Sequence, residues 1–181
     1  MSMTARQWFP GLMSPSEETF AFRSCHLRPE SRGSVSLRSA DPMDPVRIVN
    51  NFLSTDEDRR VLRESFRIMR TLALQPAFDD MRGDEFAPGA HVKDDDDAAI
   101  DAYVRQGLGT VYHPVSTCRM GIDDRAVVDG ALKVKGLDAL RVVDASVFPD
   151  LTGGNINAVV IMTAEKADAI LGRQSPAREA A

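Results

Sequence analysis

Two short stretches in the first third of the chain have the hydrophobic and polar pattern of strands. Residues 34–38 alternate as a half-buried strand does, and residues 46–49 form a second apolar stretch after a turn cluster with two prolines at 41–45. Proline fixes φ and removes a backbone donor, so the cluster interrupts regular pairing. The pattern predicts a short antiparallel strand at 34–38 and a second strand at 46–49.

A helical period follows directly. Residues 54–57 form a capping box in which Ser54 is the expected N-cap and Glu57 reaches back to it. Apolar side chains then recur at steps of four, three and four, which places them on one stripe of a helix that Pro76 ends. The stripe consists of Leu62, Phe66, Met69 and Ala73. We expect it to face a core.

The acidic run at 94–97 precedes apolar residues and is expected on the first turn of a second helix, where negative charge offsets the macrodipole. A calcium loop would space its ligands at alternate positions around a glycine turn, and this run does not. His91 is expected on the surface. Residues 81–93 carry glycine and proline and predict an irregular loop.

The second half predicts extended segments and a last helix. Residues 110–112 are expected to be extended, 127–134 to form a hairpin around Asp129 and Gly130, and 140–143 to form a strand buried on both faces. Residues 158–171 predict a helix that is apolar on most of its surface. Residues 1–20 are expected to be a loose lead-in, and the residues after Gly172 a polar tail.

Composition narrows the classes of function. The chain of 181 residues has 22 Lys and Arg against 27 Asp and Glu, a net charge of −5, which argues against nucleic-acid binding. No run approaches the roughly 18 apolar residues of a membrane span, and the first residues lack the apolar middle of a signal peptide. Two cysteines without CxxC spacing fit a reducing compartment, so we expect a cytoplasmic protein, and one disulfide stays open.

Two segments carry candidate chemistry. His113 stands at the end of the extended segment, immediately before Pro114, where a histidine serves either a site or a core. Residues 153–155, Gly-Gly-Asn, precede the last helix, where they form either an anion-stabilising end or an ordinary capped loop. Cys118 has no assured contact with His113, so a small buried hydrophobe is the better interpretation than a nucleophile. The histidines lack ligand-like spacing, and no metal site is predicted.

Together these segments resemble a known family. The carrying sequences are YHPVSTCRMG at 112–121, LRVVDASVFP at 140–149, GNINA at 154–158 and AEK at 164–166, with LRPESRG at 27–33 and NFLS at 51–54 upstream. They are similar to the C-terminal region of the glucose-methanol-choline (GMC) flavin oxidoreductases, nearest to the choline and alcohol dehydrogenase branch. The resemblance covers roughly residues 22–171.

The resemblance implies oxidation of a small alcohol, choline-like or another primary alcohol, to an aldehyde, with hydride passing to N5 of FAD. His113 and Asn155 match the catalytic positions. Asp144, Ala145, Asn157 and Ala158 match positions beside the cofactor. A neutral His113 would take the hydroxyl proton while Asn155 orients the oxygen. Which alcohol is oxidised, and whether oxygen or another acceptor reoxidises the flavin, both stay open.

For the fold we expect α+β: a mainly antiparallel sheet flanked by helices, with a C-terminal strand and helix that pack on a flavin-binding half. The expected division is a lead-in at 1–20, a substrate-binding region at 21–126, a returning region at 127–173 and a tail at 174–181. No GxGxxG follows a strand in these residues, so the pyrophosphate of FAD is expected to bind elsewhere.

Two hypotheses about the chain remain open. It is either the catalytic part of a flavoenzyme, as a fragment or a subunit completed by a separate FAD-binding chain, or an inactive remnant or interaction domain. In both cases the apolar faces of residues 140–143 and of the last helix predict self-association or a partner. Neither a nucleic acid nor a membrane is expected among the partners.

Overall fold

The computed structural model describes residues 19–172. Two strands and three α-helices follow one another along the chain, with two 3-10 turns between them. They are β1 Ser34–Ser36, β2 Arg47–Val49, α1 Asp56–Ala73, the turn Pro76–Phe78, α2 Asp97–Gly107, the turn Ala145–Val147, and α3 Asn157–Gly172. The expected α+β class with an antiparallel sheet is confirmed, and in the described residues the sheet has two strands.

The strands pair antiparallel, with Val35 opposite Ile48. Gly33 lets the chain enter this pair, because a Cβ there would lie 2.2 Å from the carbonyl oxygen of Val49. The half-buried pattern expected at residues 34–38 is wrong, since every residue of β1 is exposed, as is every residue of β2. A two-stranded ribbon buries one face only where another element packs on it, and among residues 19–172 none covers these strands.

Helix α1 begins one residue later than the capping box predicted. The Thr55 hydroxyl, not that of Ser54, accepts from the backbone N–H of Asp58 at 3.2 Å. The helix ends at Ala73, before Pro76, as predicted. The stripe is also confirmed: Phe66 is buried and the three other members are half-buried.

Helix α2 confirms the interpretation of the acidic run as a helix start. Asp96 is the N-cap, and its carboxylate accepts from the backbone N–H of Ala99 at 2.9 Å. Asp97 lies in the first turn and pairs with Arg63 and Arg67 of α1. The two helices share a small core of Phe66, Val92 and Ile100.

Three extended segments predicted in the second half are wrong or reduced. Residues 110–112 form no strand, because the chain turns at Tyr112, which adopts φ 62° immediately before His113. Residues 127–134 keep one antiparallel bridge between Val128 and Val134. The turn there runs from Asp129 to Leu132, because the Asp129 carboxylate accepts two backbone N–H groups and widens the loop.

Residues 140–143 form one bridge, between Arg141 and Lys133, instead of a strand. Leu140 is 48% and Val143 37% exposed, so this chain does not itself bury the run, and the exposure agrees with the expectation that residues 140–143 pack on a flavin-binding half. An apolar run becomes a buried strand only when neighbours cover both faces, and the described residues supply no such neighbours.

Helix α3 confirms the predicted last helix and packs on the main core. Its buried residues are Thr163 and Ala167, while Ile161, Met162 and Leu171 are exposed. The core consists of Val128, Leu132, Val147, Phe148, Ile156 and Ala167. None of the helices within residues 19–172 has the length and apolarity that a membrane crossing needs.

The chain forms two compact units. One comprises the described residues up to His26 together with Leu53–Gly109, and the other comprises Leu27–Phe52 and the described residues from Thr110 onward. The second unit contains both candidate catalytic residues. The division at residues 20, 126 and 173 stays a prediction, and most of the expected lead-in and the whole tail lie outside the described residues.

Candidate active site

The segment that carries His113 is fixed to the 3-10 turn Ala145–Val147 and to the residue after it. The Met120 backbone N–H donates to the Val147 carbonyl at 2.8 Å, and the Ser116 hydroxyl donates to the Phe148 carbonyl at 2.8 Å. Val147 and Phe148 are core residues. The histidine therefore stands on a loop whose later part is tied to the core.

The backbone on either side of His113 is unusual. Tyr112 has φ 62° and Ser116 has φ 74°, in the left-handed region that residues with a Cβ rarely adopt. The Thr110 hydroxyl accepts from the Tyr112 N–H at 3.0 Å and supports the first of these turns. Strained residues of this kind cluster at functional sites, and they present a half-buried imidazole beside a phenol that is 74% exposed.

Asn155 stands at the end of a loop of residues 149–156, called here the glycine loop. Ile156 is buried in the core and Leu151 packs against it, so both ends of the loop tip are held. Gly153 has φ 77°, a conformation that glycine adopts without a steric penalty. The exposed Asn155 follows, two residues before α3 begins.

The imidazole and the carboxamide meet. His113 Nε2 lies 3.1 Å from Asn155 Oδ1, although 42 positions separate the residues in sequence. With this arrangement Nε2–H donates to the carboxamide oxygen, and a neutral ring keeps its lone pair on Nδ1. A half-turn of the carboxamide would instead aim its NH2 group at an unprotonated Nε2, so the pair offers one donor and one acceptor in either state.

The start of α3 fits an anionic group. The first amides of a helix have no intrahelical carbonyl to bind and carry a partial positive charge. Helices α1 and α2 have acidic residues in their first turns, whereas α3 has none. Asn157 and Ala158, both exposed, begin this first turn, and Asn157 stands two residues after Asn155.

The two other predicted cofactor positions lie at the turn that holds the His113 segment. Asp144 is exposed, and its Oδ1 accepts from the Ser146 N–H at 2.7 Å, so that oxygen caps the turn. Ala145 is half-buried in the first position of the turn. The structure therefore ties these residues to the His113 segment and places Asn157 and Ala158 next to Asn155.

The two cysteines and the two other histidines were the remaining candidates for chemistry. Cys118 is half-buried and Cys25 exposed, and both are free, so the disulfide left open by the composition does not form. His26 lies 3.2 Å from the buried Asp58, and His91 is exposed. Residues 19–172 contain no group of three side chains suited to hold a metal ion.

Two arginines near the glycine loop have no predicted role. Arg32 Nη2 donates to Asp150 Oδ1 at 3.2 Å, and the Arg28 guanidinium lies against Gly153. Both belong to the LRPESRG segment, which carried the resemblance but has no hydrophobic period or motif that points to a contact with the glycine loop, 118 positions away in the case of Arg32 and Asp150. The one sequence signal for such a contact was the presence of arginine in a segment that also contains proline and glycine.

Comparison with known proteins decides the family. Residues 29–164 match the family model described as GMC oxidoreductase. The chain belongs to the GMC oxidoreductase family. This confirms the resemblance found in the motifs.

Three similar proteins illustrate the match. An oxygen-dependent choline dehydrogenase of Acinetobacter baumannii (strain AYE) is 44% identical over 174 residues, which are 96% of this chain and 31% of that protein. The crystal structure of pyridoxine 4-oxidase from Mesorbium loti matches with a TM-score of 0.77 and 36% identity, over 81% of this chain and 28% of that one.

The third is formate oxidase of Aspergillus oryzae RIB40, in a structure concerned with modification of its FAD. It has a TM-score of 0.73 and 33% identity, over 78% of this chain and 25% of that one. The chain therefore spans less than a third of the length of each of these proteins.

Proposed function

We propose that this chain supplies the substrate side of an FAD-dependent oxidation of a primary alcohol to an aldehyde. The observation that carries the proposal is the 3.1 Å contact between His113 Nε2 and Asn155 Oδ1. An alcohol oxygen that enters this pair meets a proton acceptor and a donor at once. General acid–base help of this kind is worth about 10²–10⁴ in rate.

The two side chains have distinct tasks in this proposal. In the state with the carboxamide turned by half a turn and Nε2 unprotonated, His113 Nε2 accepts the hydroxyl proton, and the Asn155 NH2 group donates to the same oxygen and fixes its position. The carbinol C–H bond then points away from the pair, and its hydrogen leaves with both bonding electrons as a hydride while the carbonyl forms. FAD, when bound, supplies the acceptor for that hydride.

The residues at the start of α3 support a place for the flavin. Hydride transfer leaves negative charge on the acceptor, and a helix start without acidic side chains stabilises such charge. We propose that Asn157 and Ala158 face the flavin from this end, and that Asp144 and Ala145 contact it from the turn at 144–147. The pyrophosphate would be held by a flavin-binding region with the GxGxxG loop that residues 1–181 lack.

A choline-like alcohol is the proposed substrate because the chain is 44% identical to a choline dehydrogenase. A quaternary ammonium group favours an aromatic face, and the exposed ring of Tyr112, next to His113, is the nearest such ring in sequence. Other primary alcohols remain within the proposal. A cytoplasmic location stays a prediction from the cysteine content.

The proposed partner is a flavin-binding region that covers the exposed apolar residues of the second unit, whether it belongs to the same protein or to a separate chain. Ile161, Met162 and Leu171 of α3 are 55%, 61% and 46% exposed. Apolar patches of this kind mark interaction surfaces. Self-association through the same residues is the alternative when that region is absent.

Cofactor titration tests the proposal. The chain is mixed with FAD, with and without the flavin-binding region of the Acinetobacter choline dehydrogenase, and flavin absorbance and choline-dependent dye reduction are recorded. We expect both signals only in the complete mixture. A mixture that binds FAD but reduces no dye with choline or with a panel of primary alcohols would favour the inactive-remnant alternative.

A further inference from the structure

The tip of the glycine loop is weakly fixed by its own backbone. Within residues 19–172, the backbones of Thr152, Gly153 and Gly154 make no hydrogen bond. A Cβ added at Gly154 would meet nothing within 4 Å. Two successive glycines widen the conformations open to such a tip, so side chains that touch the tip must set the direction of Asn155.

Arg28 is the side chain that touches it. Its Nη2, Cζ and Nε lie 2.9, 3.4 and 3.6 Å from the position that a Cβ on Gly153 would occupy. Three atoms of one planar group at these distances mean that the guanidinium rests on the Cα of Gly153. Glycine is thus required at position 153 for two reasons: it adopts φ 77° without a steric penalty, and it leaves the space that Arg28 fills.

The segment of residues 28–32 also contacts the loop at a second point. Arg32 Nη2 donates to Asp150 Oδ1 at 3.2 Å, but both side chains are more than 60% exposed, and exposed ion pairs contribute little to stability. The segment itself is anchored, because the Asn51 side chain donates to the Arg32 carbonyl at 2.9 Å. Arg28 therefore carries the contact that matters for the tip.

We propose that Arg28 is a positioning residue for Asn155: its guanidinium holds Gly153 and so keeps the carboxamide against His113. The proposal rests on the proposed function of that pair. Arginine suits the task because its guanidinium is planar and stacks on flat groups, whereas a lysine ammonium is a compact point charge.

Nuclear magnetic resonance of the labelled full chain tests the proposal. The readout is the nuclear Overhauser cross-peak between the Asn155 carboxamide protons and the His113 ring protons. We expect the cross-peak in the original chain and its loss in Arg28→Ala. Arg38→Ala, an exposed arginine of the same unit, is the matched control and should keep it.

The melting temperature and near-ultraviolet circular dichroism of the same samples separate positioning from folding. They should be alike in Arg28→Ala and Arg38→Ala. If Arg28→Ala fails to fold, Arg28→Met retains the aliphatic stem and is used in its place. A cross-peak that survives in a folded Arg28 variant overturns the positioning role alone, whereas its absence from the original chain overturns the His113–Asn155 pair and with it the proposed function.

A double-mutant cycle checks the contact independently. Gly153→Ala should lower the melting temperature more in the original chain than in Arg28→Ala. In the original chain the new Cβ clashes with Arg28 and is also strained by the positive φ of residue 153, whereas without Arg28 only the φ penalty remains. Equal decreases in both backgrounds would show that Arg28 does not rest on Gly153 and would overturn the proposal.

Discussion

The His113–Asn155 contact joins two side chains of different chemistry. An imidazole nitrogen can accept or donate a proton, whereas a carboxamide offers fixed hydrogen-bond donors and one acceptor. One residue can therefore take up a proton while the other holds the oxygen that loses it. The strained φ angles at Tyr112 and Ser116 are the conformational cost of presenting the ring.

A second residue-scale feature is the ion pair of Asp123 with Arg119. The Arg119 guanidinium and then the Arg125 backbone N–H lower the pKa of Asp123 from 3.8 to about 2. Because the folded pKa lies below the ordinary value, this carboxylate stabilises the fold above pH 3.8, and that contribution is lost as the pH falls toward 2.

Arg119→Ala should raise the Asp123 pKa toward 3.8, because it removes the largest cause of the shift. The measurement is a carbon-13 titration of the Asp123 carboxyl. Arg125→Ala is the control, since it keeps the backbone N–H and should leave the midpoint near its original value. A midpoint that does not respond to Arg119→Ala would contradict the ion pair.

The sequence predicted residues of the site where a reactive or polar side chain stood within a recognisable motif. His113 and Asn155 were predicted, and the structure brings them together, although their roles stay a proposal. Arg28 was missed because its contact with Gly153 exists only after distant segments fold together. The choice between Ser54 and Thr55 as the N-cap was missed because both hydroxyls suit the position, and only the backbone direction separates them.

At the scale of elements, the arginines of α1 hold the loop that leads to α2. Arg70 donates to both carboxylate oxygens of Glu85 at 2.7 and 2.9 Å, to Asp94 Oδ1 at 2.7 Å and to the Val92 carbonyl at 2.6 Å. Its guanidinium also lies 4.5 Å above the ring of Phe66. These contacts make Arg70 the main link between α1 and residues 85–94.

Arg70→Ala should lower the free energy of unfolding by about 2 kcal/mol, because it leaves partly buried acceptors without their charged donor. Arg60 is the matched control: it lies on the same helix and bonds Glu57 alone, in solvent. Arg60→Ala should leave the denaturant midpoint nearly unchanged. Equal effects of the two substitutions in urea unfolding would contradict the link assigned to Arg70.

The cap of α1 gives a second test at this scale. Thr55→Ala should lower the free energy of unfolding by about 1 kcal/mol, the usual value of a lost N-cap. Thr55→Ser keeps a hydroxyl for the Asp58 N–H and should cost much less. The measurement is the urea midpoint of each variant. A serine variant as unstable as the alanine variant would contradict the capping role of the Thr55 hydroxyl.

Helices were predicted better than strands for a physical reason. A helix satisfies its backbone within itself, so the apolar period of α1 and the long apolar segment of α3 sufficed to place them. A strand needs a neighbour, and the apolar run at 140–143 could not show whether this chain or another region would cover it. The same uncertainty explains why β1 is exposed although its alternation predicted one buried face.

At the scale of the whole molecule, large apolar side chains remain on the surface of the second unit. Besides the exposed residues of α3, Leu140 and Val143 are 48% and 37% exposed. Large apolar side chains are exposed in this way on a surface that forms an interface when its partner is absent. The chain spans less than a third of its relatives, which carry the remaining length that would provide such a cover.

Self-association of the purified chain follows from this surface. We expect a concentration-dependent mass in analytical ultracentrifugation, and we expect Ile161→Lys with Met162→Lys to shift it toward the monomer. Ala164→Lys adds a charge to the same helix without removing a large apolar side chain, and should change the mass less. A monomer at all concentrations, in the original chain, would contradict the prediction.

The most direct test of the account is turnover of the chain reconstituted with a flavin-binding region. His113→Ala should lower kcat for alcohol-dependent dye reduction by about 100-fold or more, because acid–base help is lost. His91→Ala, which removes an exposed histidine of the other unit, should leave kcat unchanged. If His113→Ala turned over as fast as the original chain, the imidazole would have no part in the reaction.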